Sequence, residues 1–422
     1  MRDPRRPTET IVVLPTSRPT DTRPTPDDLP APASRHAASR PASPARGTSP
    51  GTAGTVVRLP GPEQAPSVTH HLELVDQQLS EVLADLHHLW STKLAPAGEA
   101  ADILGTDDLP ALLAALVHSG GKRIRPVMAH LGWLSASGQA RGVGHADVVR
   151  VSAALDLLHA FALVHDDVMD ESTSRRGVAT THLHAADLHR RTAGQGRPER
   201  FGDNIAILLG DLAHAEADAL VAGLPAELRR IWRLLVIELV YGQRRDLTGS
   251  AAGRHDLAHA REVARLKSGA YTVERPLQLG AAAARAPEVV SAALAMYGRE
   301  IGEAFALRDD LLGVWGDPTR TGKPAGDDLI SAKPTVILAL AHARATGPSR
   351  QTLRRVGTPD LTSVDIFQLQ ESLLDWGVVG EVEERISRHV ADALAALESS
   401  ALDPDGVREL TVMAHRIAWR DA

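Results

Sequence analysis

From Val68 onward, apolar residues recur at three- and four-residue spacing with few interruptions. The segments HHLELVDQQLSEVLADLHHLW, ALLAALVHSG, DVVRVSAALDLLHAFALVHDD and IAILLGDLAHAEADALVAGL all carry this period, as helices that bury one face do. No strand-like alternation competes. Pro110, Pro126, Pro225, Pro287, Pro318 and Pro348, together with Gly120, Gly121, Gly138, Gly194 and Gly196, fall at the edges of the runs. The pattern predicts ten or more helices packed as one all-α bundle. The polar stretch Asp187 to Asp203 breaks the period and reads as a loop over the mouth of a site. No fixed-period repeat is present, which argues against a helical solenoid.

Residues Met1 to Pro66 differ. They hold 14 of the 27 prolines, with many Thr, Ser, Ala and Arg and no sustained apolar period. Such a segment buries too little surface to offset its ordering entropy, so residues 1–66 are expected to form a disordered tail and residues 67–422 the helical domain. Nine arginines against six acids in the tail leave about −10 of charge on the rest, given a formal net charge of −7. That balance argues against nucleic acid as the main partner. With no cysteine in the chain, disulfides, thiolate nucleophiles and thiolate metal sites are excluded, so any metal is expected to be bound by oxygen donors. No stretch approaches about 18 uninterrupted apolar residues, and a cytoplasmic protein without an integral membrane segment is expected.

Two acidic signatures carry the candidate chemistry. The first is HDDVMDESTSRRG, with Asp166, Asp167 and Asp170 followed by Arg175 and Arg176. Carboxylates four apart share a helix face, so Asp166 and Asp170 can hold hard cations side by side, and the arginines can grip phosphate oxygens. On the same helix His159 and Ala162 fall in the sector of Asp166 and Asp170, which places an imidazole and a small apolar residue beside the acids. A solvated helix end is the commoner reading of an Asp run, but here an apolar helix leads straight into the acids, and buried acids need partners. The second signature is LRDDLLGVWGDPTRTGKPAGDD, with Asp309, Asp310 and Lys323, in which an apolar helix carries two acids into a Gly/Pro/Lys loop. Two such helices face to face would clamp a polyanion between metals.

Upstream, SGGKRIRPVM joins two glycines to Lys122, Arg123 and Arg125, a second phosphate cradle. RLKSGAYTVERP adds Lys267 and Ser268 where the helix is expected to be interrupted next to Gly269.

In their order along the chain, GGKRIRP, LLHAFALVHDDVMDESTSRRG, FGDNIAILLGDL, YGQRRD, KSGAYTVERP and LRDDLLGVWGDP…TGKPAGDDL resemble the trans-isoprenyl diphosphate synthases, and the whole is similar to the actinobacterial geranylgeranyl type. The resemblance covers residues 75–420 and implies an isoprenoid-synthase bundle acting as a homodimer. It implies that Lys122, Arg125 and His159, assisted by Arg176, bind isopentenyl diphosphate, while Arg175, Lys267 and Lys323 bind the allylic diphosphate. Asp166 and Asp170 match ligands of two magnesium ions, and Asp309 matches the ligand of a third. Asp166, Asp170, Asp309 and Lys267 are thereby the expected catalytic set, with Phe161 and Ala162 as chain-length determinants. The implied reaction is ionisation of the allylic substrate, attack by the alkene of isopentenyl diphosphate, and proton loss to give a linear all-trans product.

The chain departs from the family pattern at three places. Ala306 stands for a frequent Gln, Gly313 for a third Asp, and Ala332-Lys333-Pro334 for Gly-Lys-Arg. Restoring Asp at 313 is expected to be mild or activating. A terpene cyclase on the same scaffold would keep both acidic motifs yet have no use for GGKRIRP, and a non-catalytic subunit of a prenyl synthase draws support from the altered second motif alone.

Overall fold

Helix formation follows the apolar period and is fixed by capping. In Val378–Ala396 the buried positions Val378, Val382, Ile386, Val390 and Ala393 make one stripe, which packs on Glu288–Trp315. Ser67 Oγ accepts the His70 N–H at 3.2 Å to start the first helix. Thr362 and Asp365 form a reciprocal capping box. The computed structural model describes residues 67–94, 103–105, 108–175, 177–317, 326–399 and 401–420. The Met1 to Pro66 segment, Arg176 and Lys323 lie outside the described residues.

The helices are α1 (Val68–Leu89), α2 (Leu109–His118), α3 (Ile124–Ser135), α4 (Gly138–Arg141), α5 (His145–Met169), α6 (Thr181–Arg191), α7 (Pro198–Ala222), α8 (Ala226–Ala251), α9 (Leu257–Val263), α10 (Arg275–Ala283) and α11 (Glu288–Trp315). They continue with α12 (Asp327–Ile330), α13 (Val336–Arg344), α14 (Gly347–Leu353), α15 (Ser363–Asp375), α16 (Val378–Ala396) and α17 (Pro404–Ala418). The fold is all-α. α5 lies at the centre, packed on α7, α3 and α1. Length and composition would allow α5 to cross a membrane, but Val151, Ala154, Leu155, Leu157 and Leu158 are fully buried against neighbouring helices.

Three local features differ from the sequence reading. Asp187 to Asp203 is not a loop: α6 and α7 cover most of it and only residues 192–197 connect them. His182, Ala185, Ala186 and His189 are buried at three- and four-residue spacing, a helical face hidden because two of its members are histidines. A two-residue antiparallel ladder, β1 (Ser174–Arg175) with β2 (Val178–Ala179), pairs Arg175 with Val178. At Lys267 the chain is widened rather than broken, since Ala264–Glu274 forms a π-helical segment that runs continuously from α9 into α10.

α3 and α10 cross with almost no side chain between their backbones. A Cβ at Gly132 would lie 2.2 Å from the Leu277 carbonyl oxygen, and one at Gly280 would lie 1.8 Å from that of Ala129. This crossing ties Arg125, at the start of α3, to the element that continues directly from the π segment carrying Lys267.

Candidate active site

A cavity of ≈ 580 Å³ opens among α2, α3, α5, the π segment and α11. Its basic side is the turn Gly120 to Arg125, and its acidic side is Asp166, Asp246, Asp309, Asp310, Asp327 and Asp328. Lys122, Arg125, His159, Asp166, Arg175, Lys267 and Asp309, all singled out from sequence, line this one space.

On the basic side the side chains are braced. Arg123 is held by Asp76 at 2.6 Å and Asp156 at 2.7 Å, with its backbone in the left-handed region at φ 50°. Burial pushes the Asp156 carboxyl up to about 6, opposed by Arg123 and Arg125. Arg125 donates to Thr272 Oγ1 at 2.9 Å and lies over the Tyr271 ring at 4.0 Å. The Tyr271 hydroxyl is 3.2 Å from His159 Nδ1, so one buried tyrosine orients two of the groups expected to hold a diphosphate. Burial raises the Tyr271 phenol to about 12, keeping it protonated.

The acidic side is held by cations. Lys267 Nζ lies 2.9 Å from Asp166 Oδ1 and 2.6 Å from Asp246 Oδ2, and Gln243 donates to Asp166 Oδ1 at 3.3 Å. Burial opposes the charge of Asp166, but Lys267, then Lys333 and Arg175, hold its carboxyl well below the ordinary range. Arg175 forks onto both oxygens of buried Asp167 at 2.6–2.9 Å and stays 3.7 Å from Asp166, so the middle acid of the triplet anchors the arginine. Asp170 is not among the cavity-lining residues. It reaches the site through Lys333 Nζ, 2.8 Å away, and Lys333 does line the cavity.

In the second acidic segment, Asp309 is paired with Arg420, whose guanidinium covers the Phe305 ring at 4.1 Å. Asp310 is half-buried and accepts the Val336 N–H at 2.9 Å. Burial first, then Asp328, pushes its carboxyl well above the usual range. A Cβ built at Gly313 would sit 1.9 Å from Asp328 Oδ2. The space beside position 313 is thus filled by an acid arriving from α12, and the geometry revises the expectation of a mild Gly313→Asp. Gly313→Asp alone should slow turnover by roughly tenfold through crowded like charges, and adding Asp328→Ala should recover most of the loss. Equal steady-state rates for Gly313→Asp and the unaltered chain would remove this argument.

Ala162 and Phe161 do not line the cavity, whereas Ala160 and Leu163 of the same helix do. Phe161 faces α7, stacked on His214 at 4.8 Å and edge-on to His165 at 4.7 Å. Sequence reasoning gave no role to Gln243 and Asp246, although YGQRRD was singled out as a motif, nor to Tyr271, Lys333 and Asp328. Asp156 had a usable signal, three residues before His159 on one face. Arg420 had none.

A closed helical bundle whose cavity sets acid–lysine clusters beside a basic turn defines a protein that handles diphosphates. Residues 107–369 match the polyprenyl synthetase family, and the chain belongs to it. It is 31% identical over 320 residues to the geranylfarnesyl diphosphate synthase of Aeropyrum pernix, covering 72% of this chain and 92% of that one. It is 32% identical over 294 residues to the geranylgeranyl diphosphate synthase of Mycobacterium tuberculosis, covering 68% and 77%. The geranylgeranyl pyrophosphate synthase of Corynebacterium glutamicum, solved with isoprenyl diphosphate and magnesium, superposes with a TM-score of 0.77 at 36% identity, covering 84% of this chain and 99% of that one. The protein is a prenyltransferase of the trans-isoprenyl diphosphate synthase class.

Proposed function

We propose that this chain condenses isopentenyl diphosphate with allylic diphosphates and that geranylgeranyl diphosphate is its main product. The observation that carries the reading is that one cavity is lined both by Lys122, Arg123 and Arg125 and by Asp166, Lys267, Asp309 and Lys333. Two diphosphate grips suit a condensation, whereas a cyclase would use one. Lys122, Arg125 and His159 hold isopentenyl diphosphate in this assignment, and Arg175, Lys267 and Lys333 hold the allylic diphosphate. Arg176 and Lys323 join the two sets on their place in the sequence.

The donor set fits hard divalent cations. Asp166 and Asp170 offer only carboxylate oxygens, and ammonium groups already sit 2.9 and 2.8 Å from them, where positive charge is drawn. Asp166, Asp170 and Asp309 are assigned as the magnesium ligands, for three ions in all. When bound, magnesium supplies neutralisation of the charge that develops on the departing diphosphate. Lys267 and Arg175 orient that group, Leu163 and Ala160 keep water from the allylic cation, and the released diphosphate takes the proton.

Product length rests on the names of relatives, which run from farnesyl to geranylfarnesyl with geranylgeranyl between, and on the packing of α5. The Phe161–His214 stack closes the space between α5 and α7, so Phe161→Ala should lengthen the product and Ala162→Phe should shorten it toward farnesyl. The assay supplies purified protein with isopentenyl diphosphate, each allylic starter and magnesium, and sizes the products. A product mixture unchanged in both variants would defeat the assignment of these two residues, while failure with every starter would defeat the condensation itself.

A homodimer is part of the same proposal. α7 and α8 leave Ile207, Leu208, Leu234, Ile237, Val240 and Tyr241 exposed, a concentration of apolar side chains that a second copy would cover. A sedimentation mass of one chain at micromolar concentration would exclude it.

A further inference from the structure

Three helices bring histidines together where the prenyl-transfer chemistry makes no use of them. His71 lies on α1, His130 on α3 and His145 at the first position of α5. One ligand atom from each ring lies within 4.8 Å of the other two, and none of the three side chains lines the diphosphate cavity. His71 and His130 are fully buried and His145 is half-buried. We propose that His71, His130 and His145 form a structural site for a divalent transition metal of zinc's class, apart from the magnesium chemistry.

Packing of core histidines is the competing account. It explains the His71–His130 stack, whose centroids are 4.5 Å apart at 22°, but leaves buried nitrogens unaccounted for. His71 Nε2 is engaged by Ser152 Oγ at 3.0 Å, whereas His71 Nδ1 and His145 Nε2 are buried without a hydrogen-bond partner. Unpaired polar nitrogens in an interior are costly, and a metal offers an acceptor for their lone pairs. The Ser152 contact resembles the outer partners that fix the orientation of a metal-bound imidazole.

The ionisation state agrees. Burial first, then the neighbouring His130 and His145, lowers His71 to about 2, and burial lowers His145 as well, so both rings are neutral at physiological pH. Neutral imidazole is the ligand form. Trp133 borders the cluster: it stacks on His130 at 5.8 Å, tilts over His145 at 5.0 Å and donates its Nε1–H to the Val143 carbonyl at 2.7 Å. A tetrahedral zinc with nitrogen ligands at about 2.0–2.1 Å separates them by roughly 3.3 Å, so on binding the nitrogens close by about 1 Å each and the His71–His130 stack splays until both in-plane lone pairs meet the ion. Water can reach a fourth position past half-buried His145. A bound ion would clip together α1, α3 and α5, the helices that carry Asp76, Arg125 and Asp166.

The test uses the full chain, stripped with chelator and dialysed against zinc, with excess magnesium present to occupy the carboxylates. One zinc per chain should remain after gel filtration, and cobalt in its place should give the visible bands of four-coordinate nitrogen ligation. Zinc at a hundredfold excess over its dissociation constant should raise the melting temperature by roughly 5 °C. His145→Gln should lose the zinc equivalent, the bands and the shift, while Asp166→Asn should keep all three. Zinc retention equal in the unaltered chain and His145→Gln would overturn the site. Absence of cobalt bands in the unaltered chain would overturn it even if the variant fails to fold.

Discussion

Asp166→Ala is expected to lower product formation by about a thousandfold or more while leaving the fold intact. The loss follows because the carboxylate at 166 is the charge on which the acidic side of the cavity converges, with Lys267 at 2.9 Å, Gln243 at 3.3 Å and Arg175 at 3.7 Å. A missing ligand charge removes stabilisation that matters as the diphosphate departs, and each tenfold in rate is only about 1.4 kcal/mol. The fold survives because Lys267 keeps Asp246 at 2.6 Å and Arg175 keeps Asp167, so neither cation is left alone in the interior. Asp166→Asn keeps the size and removes the charge, and it should be nearly as inactive. Turnover of isopentenyl diphosphate is the measurement, with circular dichroism alongside. Near-native turnover in either variant would sink the assignment.

The second large effect is on stability. Gly280→Ala should destabilise the chain by about 3 kcal/mol, because the new methyl meets the Ala129 carbonyl at 1.8 Å and backbone cannot rotate away as a side chain could. In a domain of this size that corresponds to a fall in melting temperature of roughly 4–5 °C. Gly132→Ala, which meets the Leu277 carbonyl at 2.2 Å, should do the same, and the double variant should cost less than the sum because one separation of α3 from α10 relieves both clashes. Strict additivity in thermal melts would mean that the two clashes are relieved independently.

The sequence made the bundle legible because a buried helix face is a local property, repeated every few residues. α16 announces itself with Val378, Val382, Ile386 and Val390, and α5 does so until its acids begin. α6 escaped because His182 and His189 pack like apolar residues yet read as polar, leaving Ala185 and Ala186 too faint a stripe. The π segment was legible only as a disturbance at Gly269, since widening depends on what α8 and α11 place around it. Asp166, Asp170, Lys267 and Asp309 could be picked out because acids and a lysine stand out against apolar helix. Their partners could not: Asp309 meets Arg420 across 111 positions and Arg125 meets Thr272 across 147, separations that no local pattern encodes.

The carboxylate of Asp328, lodged against Gly313, also constrains how such a chain can change over generations. A lineage that once carried an acid on α11 at this point and one that never did would arrive at the same arrangement by different routes, but the way back is not symmetrical. Regaining an acid at 313 while Asp328 stays in place passes through an intermediate with two carboxylates in one space, so the order of substitutions matters: position 328 has to yield first. The effects of substitutions at 313 and 328 are therefore expected to depend on each other, and Asp328, which also lines the cavity beside Lys333, is held in place by its neighbour as well as by the site it faces.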